Sequence, residues 1–319
     1  MSDQKPVLVS GVKPTGDLHI GNYFGAMRQF VELTKEGKYR PFIFVADYHA
    51  LNTMQDAEEM KRRTREIVMA YIAIGLDPND AVFFKQSDVP AHTELAWIFD
   101  TITTMPYLMR AHAFKDAEAK NKELNVGTFN YPMLMAADIL LYDAAIVPVG
   151  QDQKQHIEIA RDTAEKFNRT FKTSVFTLPE PYIMPEVAVV PGTDGQKMSK
   201  SYGNVIPLFG SRDELAKAVM SIVTDSSGER PENVYRIHRL FRSEVNLDAL
   251  YEEHRGNYKA LKETLIEDLD RYLAPLRTKY EELKEDSSIV DDVLADGKRE
   301  ARAISEAKME QVRAAIGVA

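Results

Sequence analysis

The chain contains no cysteine among its 319 residues, which excludes disulfide bonds, thiolate metal sites and cysteine nucleophiles. Long apolar runs are also missing, since no stretch approaches the eighteen or so residues of a membrane span. The N-terminal stretch MSDQKPVLVSG becomes strand-like too early for a signal peptide. We therefore expect a cytoplasmic protein with no membrane segment.

A basic surplus is absent as well, because the formal net charge is −9. This charge argues against a protein that coats nucleic acid, although it leaves room for a local basic groove. Hydrophobic residues make up 44% and charged residues 28%, as in ordinary globular proteins. The length favours two domains of unequal size.

The first 205 residues alternate short β-rich runs with longer helical patterns, which is typical of a parallel sheet covered by helices. One predicted helix begins near Ile20 to Asn22, and another ends at Gly75. Charged helical patterns replace the strands from about residue 206. We predict a doubly wound α/β domain over 1–205 and an all-helical domain over 206–319. The predicted strands cover 6–11, 40–47, 81–87 and 144–150.

Two segments have the composition of an anion site. In VSGVKPTGDLHIGNYFG (9–25) a strand is followed by a loop and a helix start, where backbone N–H groups and the helix dipole favour an anion. The glycines of this segment are equally consistent with a tight turn. The second segment, PGTDGQKMSKSYGN (191–204), carries Lys197 and Lys200 between glycines, and a solvated basic loop is its simplest alternative.

HIGN at 19–22 together with KMSKS at 197–201 resembles the paired signature of class I aminoacyl-tRNA synthetases. Their order and separation are similar to those of the short tyrosyl and tryptophanyl members. Three further stretches, DYHAL (47–51), YPMLMAADILLYDA (131–144) and VPVGQDQKQHIEIARDTAEKFN (147–168), resemble the bacterial tryptophanyl branch. The resemblance covers the first 205 residues closely and the rest only by size and position.

This resemblance implies a Rossmann-like catalytic domain and a reaction in two steps. Tryptophan reacts with ATP to give tryptophanyl-adenylate and pyrophosphate, and the tryptophanyl group then passes to the 3′-terminal ribose of tRNA(Trp). Positioning and electrostatic stabilisation would provide the catalysis. A Mg²⁺ ion bridging the phosphates is implied, held by ATP and water, and no protein ligand is assigned to it.

The family match also assigns phosphate and nucleotide contacts. Catalytic roles fall to Lys197, Lys200, Lys115 and His19, although a surface position is a strong alternative for Lys115. ATP would be bound by Lys13, Pro14, Thr15, His19, Gly21, Asn22, Gly150, Gln151, Asp152, Val187, Lys197, Met198, Ser199, Lys200 and Ser201.

Asp138 is the main candidate for amino-acid choice, since it lies within the apolar run MLMAADILLY and a carboxylate suits the indole N–H donor. The family match places Tyr131 and Gln153 at the substrate ammonium. His49 is expected in the same pocket, with a hydrogen-bonded core histidine as the alternative. The apolar slot would be formed by Met135, Val147, Val149 and Val9.

Three positions differ from the pattern of bacterial relatives, which often carry glutamine, serine and phenylalanine where this chain has Lys13, Thr15 and Val9. Thr15 keeps a hydroxyl group. Lys13 adds a charge near the expected α-phosphate, where it either strengthens phosphate contacts or points to solvent. Val9 should reshape the indole slot.

The resemblance further implies a homodimer with tRNA lying across both subunits. Residues of about 87–140 form the expected insertion and dimer region, while the helical domain would bind the anticodon. The dimer face is predicted to include Trp97, Phe99, Met105, Tyr107 and Met109, with ordinary core as the alternative. Candidate tRNA contacts are Arg236, Arg239, Arg242 and Lys259.

Three competing functions remain at this stage. A tyrosine-specific ligase on the same scaffold is the nearest, and its pocket would serve a phenol. A catalytically inactive RNA-binding relative would have little need of HIGN and both loop lysines. A pantothenate-type adenylate-forming ligase shares the nucleotide corner but would not need the helical C-terminal domain.

Overall fold

A parallel sheet of five strands organises the computed structural model, which describes residues 5–14, 16–111, 114, 125–150, 153–183, 189–224 and 230–319. The spatial order is β3-β2-β1-β4-β5, and every neighbouring pair is parallel. The predicted doubly wound α/β fold is confirmed. The strands are β1 (Val7–Val12), β2 (Arg40–Val45), β3 (Val82–Lys85), β4 (Ile146–Val149) and β5 (Glu180–Ile183).

The strand order reverses between β1 and β4, which are adjacent in the sheet although far apart in the chain. In doubly wound sheets a ligand crevice opens at such a reversal, beyond the carboxyl ends of the two strands. The fold therefore places the binding crevice next to Val12 and Val149, where these two strands end.

Helices surround the sheet and form the C-terminal third of the chain. The first begins at Ile20, as predicted, and passes through a π-helical turn at Tyr23–Met27. Short 3-10 turns occupy Gln86–Asp88 and Lys200–Tyr202. The α-helices are α1 (Ile20–Asn22), α2 (Arg28–Lys35), α3 (Asp47–Ala50), α4 (Ala57–Ala73), α5 (Ala91–Ile102), α6 (Met105–Leu108), α7 (Val126–Leu140), α8 (Lys154–Thr170), α9 (Arg212–Met220), α10 (Glu232–His238), α11 (Glu244–Glu253), α12 (Tyr258–Glu285) and α13 (Ser288–Ile316).

The four predicted strands agree with β1 to β4 to within a few residues, but β5 was missed. Its sequence, EPYI, contains Pro181 and follows Pro179. Proline cannot donate a ladder hydrogen bond and therefore argues against a strand, except at an edge. β5 is such an edge, since it pairs only with β4.

Both faces of the sheet are buried, and successive residues of a strand enter different cores. Ile43 and Val45 of β2 pack with α2, α4 and the helices after residue 206, whereas Phe42 and Phe44 pack with α5, α7 and α8. This alternation follows from the two-residue period of a strand. The first of these cores continues without a break into the C-terminal helices.

Helix α13 crosses the open edge of β3. Its first half packs in one core through Val290 and Leu294, and its second half packs in the other through Met309 and Val312. A Cβ atom at Gly297 would lie 1.9 Å from the carbonyl oxygen of Phe83, so only glycine permits this approach. The helix thereby covers a strand edge that would otherwise expose unpaired backbone groups.

Within the described ranges, no helix is both long and apolar enough to cross a membrane. The boundary near residue 205 stays a prediction. Residues 206–208 contact the HIGN segment, since Ile20 N–H donates to the Ile206 carbonyl (3.0 Å) and Leu208 N–H donates to the Leu18 carbonyl (2.9 Å).

Candidate active site

A cavity of about 360 Å³ opens beyond the carboxyl ends of β1 and β4. All eight residues predicted to contact tryptophan line this cavity, although they come from four separate parts of the chain. The strands contribute three valines, α7 contributes three residues, and His49 and Gln153 close the sides. These residues are Val9, His49, Tyr131, Met135, Asp138, Val147, Val149 and Gln153.

Asp138 is 1% exposed and lies in the wall of this cavity. Its Oδ1 accepts hydrogen bonds from Gln86 Nε2 (2.7 Å) and His92 Nδ1 (2.6 Å), and its Oδ2 pairs with His49 Nε2 (2.9 Å). Burial raises the pKa of Asp138, but the hydrogen bonds from His49 and His92 outweigh burial and hold this pKa at about 2. The carboxylate is therefore ionised at neutral pH.

Tyr131 lines the same cavity from α7, and its hydroxyl contacts Nε2 of His156. Burial raises the pKa of Tyr131 to about 12, so its hydroxyl stays protonated at neutral pH. Gln153 follows β4, and its N–H donates to the Gly150 carbonyl at 3.0 Å. Polar side chains thus line the cavity together with apolar ones.

Phe44 reshapes the slot beside Val9. The two residues lie on neighbouring strands, and Gly11 is the direct partner of Phe44 in the register of β1 and β2. A Cβ atom at Gly11 would lie 2.6 Å from Cζ of Phe44, so the glycine leaves room for the ring. An aromatic ring therefore lines the cavity even though Val9 itself is small.

A second cavity, of about 670 Å³, lies between the start of α1 and the KMSKS segment. Lys13 lines both cavities, which places its side chain at their junction. This second cavity contains seven of the residues predicted to bind ATP, together with exposed Tyr202 and the π-helical turn. The seven are Lys13, His19, Gly21, Asn22, Lys197, Met198 and Ser199.

His19 opens this corner as the residue before α1. Its N–H donates to Asn22 Oδ1 at 3.1 Å, while its buried Nδ1 has no hydrogen-bond partner among the described residues. Burial, together with the charge of Lys200, lowers the pKa of His19 to about 4, so the ring is neutral above that pH. A side chain at Gly21 would lie 2.8 Å from this nitrogen.

Asn204 stabilises the conformation of the KMSKS segment through side-chain hydrogen bonds. Its Oδ1 accepts from Ser199 N–H (2.7 Å), and its Nδ2 donates to Asp194 Oδ1 (2.7 Å) and the Lys197 carbonyl (3.2 Å). A Cβ atom at Gly192 would lie 2.3 Å from Asn204 Cγ. The glycine-rich sequence therefore folds into a hairpin-like segment tied by one buried amide.

Lys200 does not reach the second cavity in this structure. Its Nζ lies 3.6 Å from Asp17 Oδ2, and Asp17 Oδ1 accepts from Arg63 at 2.8 Å. Burial holds the pKa of Lys200 below its usual value, although the nearby Asp17 carboxylate offsets part of this effect. The two KMSKS lysines are thus separated, with Lys197 lining the cavity and Lys200 beside the preceding loop.

The remaining predicted residues are placed as follows. Pro14 is buried, Gly150 follows β4, and the Ser201 hydroxyl lies 2.9 Å from that of Ser199. None of these three lines either cavity. Thr15, Lys115, Gln151, Asp152 and Val187 lie outside the described residues.

Several site residues had not been predicted, notably Gln86, His92 and His156. Gln86 and His92 are completely buried polar residues that bond to Asp138, and His156 lines the first cavity. Gln86 directly follows β3, and His156 lies near the start of α8, the helix after β4. Both therefore lie beyond the carboxyl end of a strand, where ligands usually bind. Position after a strand was the signal that could have identified them.

The dimer prediction separates into two groups of residues. Trp97, Met105 and Met109 are 70%, 66% and 45% exposed, whereas Phe99 is fully buried. Phe99 belongs to the core with Phe167 and Phe176, and its proposed place on the outer face was wrong. Its side of α5 faces the sheet domain because the helix buries one stripe and exposes the other.

Residues 1–288 match the family model described as tRNA synthetases class I (W and Y). This match spans more than half of the chain, and it agrees with the doubly wound sheet and the crevice at its strand reversal. The chain therefore belongs to the class I tRNA synthetases of the tryptophan and tyrosine type.

Named relatives are similar over nearly the whole length. The tryptophan–tRNA ligase of Fusobacterium nucleatum is 46% identical over 318 residues, covering 97% of both chains. That of Campylobacter jejuni is 45% identical over 320 residues, covering 98% of this chain and 99% of the relative. A crystal structure of the Campylobacter jejuni tryptophanyl-tRNA synthetase with ADP and tryptophan superposes with a TM-score of 0.90 at 43% identity, covering 97% and 99%.

Proposed function

We propose that this protein is a tryptophan–tRNA ligase. A carboxylate oxygen of tryptophan attacks the α-phosphorus of ATP, the bond from that phosphorus to the β-bridging oxygen breaks, and pyrophosphate leaves. A hydroxyl of the 3′-terminal ribose of tRNA(Trp) then attacks the activated carbonyl and AMP leaves. The protein forms no covalent bond in either step, so its residues act by positioning and electrostatics.

The single observation that carries the choice of substrate is the ionised Asp138 in the wall of an apolar cavity. An indole N–H is a donor without acceptor capacity, so a carboxylate is its natural partner. Met135, Val147 and Val149 supply apolar walls for the ring. Tyr131 and Gln153 lie where the substrate ammonium would then be held.

ATP would occupy the second cavity, with its α-phosphate near Lys13. This placement is supported by the position of Lys13 at the junction, because the attacking carboxylate comes from the first cavity and the phosphate from the second. His19 offers an unpartnered buried nitrogen there. Lys197 would neutralise the charge that develops on the departing pyrophosphate, and Lys200 would join it by leaving Asp17.

Magnesium would be held by ATP oxygens and water. Within the described part of the chain, no group of three His, Asp or Glu side chains is placed to hold a metal ion. The lysines and backbone N–H groups of the corner suit phosphate oxygens and repel a cation. When bound, Mg²⁺ would offset negative charge on the pyrophosphate.

A homodimer and a tRNA complex belong to the same proposal. Trp97, Met105 and Met109 are large apolar side chains exposed on or next to α5 and α6, which favours an interface there. The tRNA anticodon would meet the helices of 206–319. Of the four predicted contacts, Arg242 pairs with the buried Asp268, while Arg239 and Lys259 pair with exposed glutamates. The reaction would take place in the cytoplasm.

Amino-acid-dependent exchange of pyrophosphate into ATP tests this function. Tryptophan and tyrosine are supplied separately, and exchange is expected with tryptophan and not with tyrosine. Tyrosine-dependent exchange alone would show the phenol-specific ligase, and no exchange with either would support an inactive relative. Charging of tRNA(Trp) with labelled tryptophan then tests the second step.

A further inference from the structure

Behind the first cavity lies a buried polar chain that does not touch the cavity itself. Gln86 and His92 are fully buried and Tyr142 is 2% exposed, and none of the three lines the cavity. Tyr142 Oη lies 2.9 Å from His92 Nε2, and His92 Nδ1 lies 2.6 Å from Asp138 Oδ1. Tyr142, His92 and Asp138 thus form a continuous hydrogen-bonded row.

The direction of these hydrogen bonds follows from the ionised carboxylate. Asp138 can only accept, so His92 must carry its proton on Nδ1. The Nε2 of a neutral ring is then an acceptor, and the Tyr142 hydroxyl donates to it. Burial raises the pKa of Tyr142 well above its usual value, which keeps that proton in place. The Asp138 carboxylate therefore fixes the tautomer of His92, and the Tyr142 hydroxyl adds a second contact that holds the ring in place.

Gln86 is oriented in a similar way. Its Oε1 accepts from the His49 backbone N–H at 3.4 Å, and this contact turns Nε2 toward Asp138 Oδ1 at 2.7 Å. If the Gln86 amide were rotated by half a turn, its Oε1 would face Asp138 Oδ1, and both of these oxygens are acceptors. Both donors to Oδ1 therefore come from side chains whose orientation is fixed by another group.

The two carboxylate oxygens consequently differ in their remaining capacity. Each accepts about two hydrogen bonds. Oδ1 is saturated by Gln86 and His92, whereas Oδ2 has one partner among the described residues, His49, which lines the cavity. One acceptor position on Oδ2 is left for a ligand in the cavity.

We propose that His92, held in place by the Tyr142 hydroxyl, is a specificity-determining residue that holds Asp138 so that one oxygen receives the indole N–H. It acts through Asp138 and does not touch the substrate, so it is a positioning residue. A site arranged around one donor rejects ligands that lack this donor far more strongly than an apolar slot does. This inference rests on the proposed function.

The test compares tryptophan with benzothienylalanine, in which sulfur replaces the indole N–H. The KM for tryptophan in pyrophosphate exchange and the inhibition constant of the analogue are measured, and the inhibition constant divided by this KM reports the value of the N–H contact. Tyr142→Phe removes one hydroxyl and keeps the ring. It is expected to raise the KM for tryptophan by roughly tenfold, which corresponds to one hydrogen bond, with the analogue and kcat little changed.

A matched pair at His92 sharpens this comparison. His92→Leu removes the donor to Asp138, whereas His92→Asn can place an amide nitrogen where Nδ1 lies. The ratio should fall with leucine and stay nearer to its original value with asparagine. Val147→Ala, which widens the slot without touching this network, should weaken both ligands and leave the ratio unchanged.

Equal losses for tryptophan and the analogue in Tyr142→Phe and His92→Leu would overturn the proposal, because both residues would then only support the fold. If His92→Leu does not fold, the Tyr142→Phe ratio decides alone. A failure of the function itself looks different, since the unmodified enzyme would then show no tryptophan-dependent exchange.

Discussion

Lys13 is the residue at which the two substrates would meet, because it lines both the slot beside Asp138 and the corner beside His19. Relatives of the resembled branch often carry glutamine here. The sequence left open whether the lysine points to solvent or to phosphate. Its place at the junction of the two cavities favours phosphate, where its charge is opposite to that of ATP.

Lys13→Gln is therefore expected to raise the KM for ATP by about tenfold, the typical value of one charge-assisted hydrogen bond, while the affinity for tryptophan changes little. Both constants are measured by pyrophosphate exchange. Lys259→Gln, at an exposed lysine on α12, serves as the control and should change neither. An unchanged KM for ATP in Lys13→Gln would mean that this side chain does not contact the nucleotide.

Helix α13 is the element whose position depends most on a single residue. Gly297 meets the backbone of β3, so an added Cβ would collide with the Phe83 carbonyl, which cannot move without disturbing the sheet. Helix propensity acts in the opposite direction, since alanine is favoured over glycine by about 1 kcal/mol in a helix. The sign of the stability change in Gly297→Ala therefore shows which of the two effects is larger.

Gly297→Ala is predicted to lower the stability by about 1 to 3 kcal/mol, the usual cost of overpacking. The midpoint of urea unfolding measures the change. Gly25→Ala is the matched control, because an added Cβ at that helical glycine has no atom within 4 Å and should leave the midpoint equal or higher. A higher midpoint for Gly297→Ala would show that α13 can move away from β3.

The exposed apolar side chains of α5 and α6 bear on how the whole molecule associates. Trp97 alone exposes 70% of its area, which is unusual for the only tryptophan of a chain with a well-formed core. Its neighbour on the buried stripe, Phe99, accounts for the packing of the same helix. The outer stripe is therefore free to pair with a second copy.

Trp97→Glu should convert a dimer into a monomer, because an ionised carboxylate in an apolar interface is costly to bury. Sedimentation equilibrium should give twice the chain mass for the unmodified protein and the chain mass for the variant. Val245→Glu, at an equally exposed valine on α11, should remain dimeric. A monomeric unmodified protein, or a dimeric Trp97→Glu, would contradict this interface.

The sequence by itself determined the features that depend on local pattern and on short motifs. Alternating and continuous apolar runs identified β1 to β4, and HIGN began a helix at Ile20 as predicted. Asp138 was conspicuous because a carboxylate in an apolar run needs partners. These signals are local, so they could be found before any contact between distant segments was known.

Only the tertiary structure decided which distant residues meet. Gln86, His92 and Tyr142 lie on separate elements and carry no shared motif, yet Gln86 and His92 bond to one carboxylate and Tyr142 bonds to His92. β5 exists because β4 offers its edge to a proline-containing segment, and α13 is fixed by an edge strand some 200 residues earlier. Strand pairing and helix docking depend on long-range contacts, and residue periodicity does not specify the partner in such a contact.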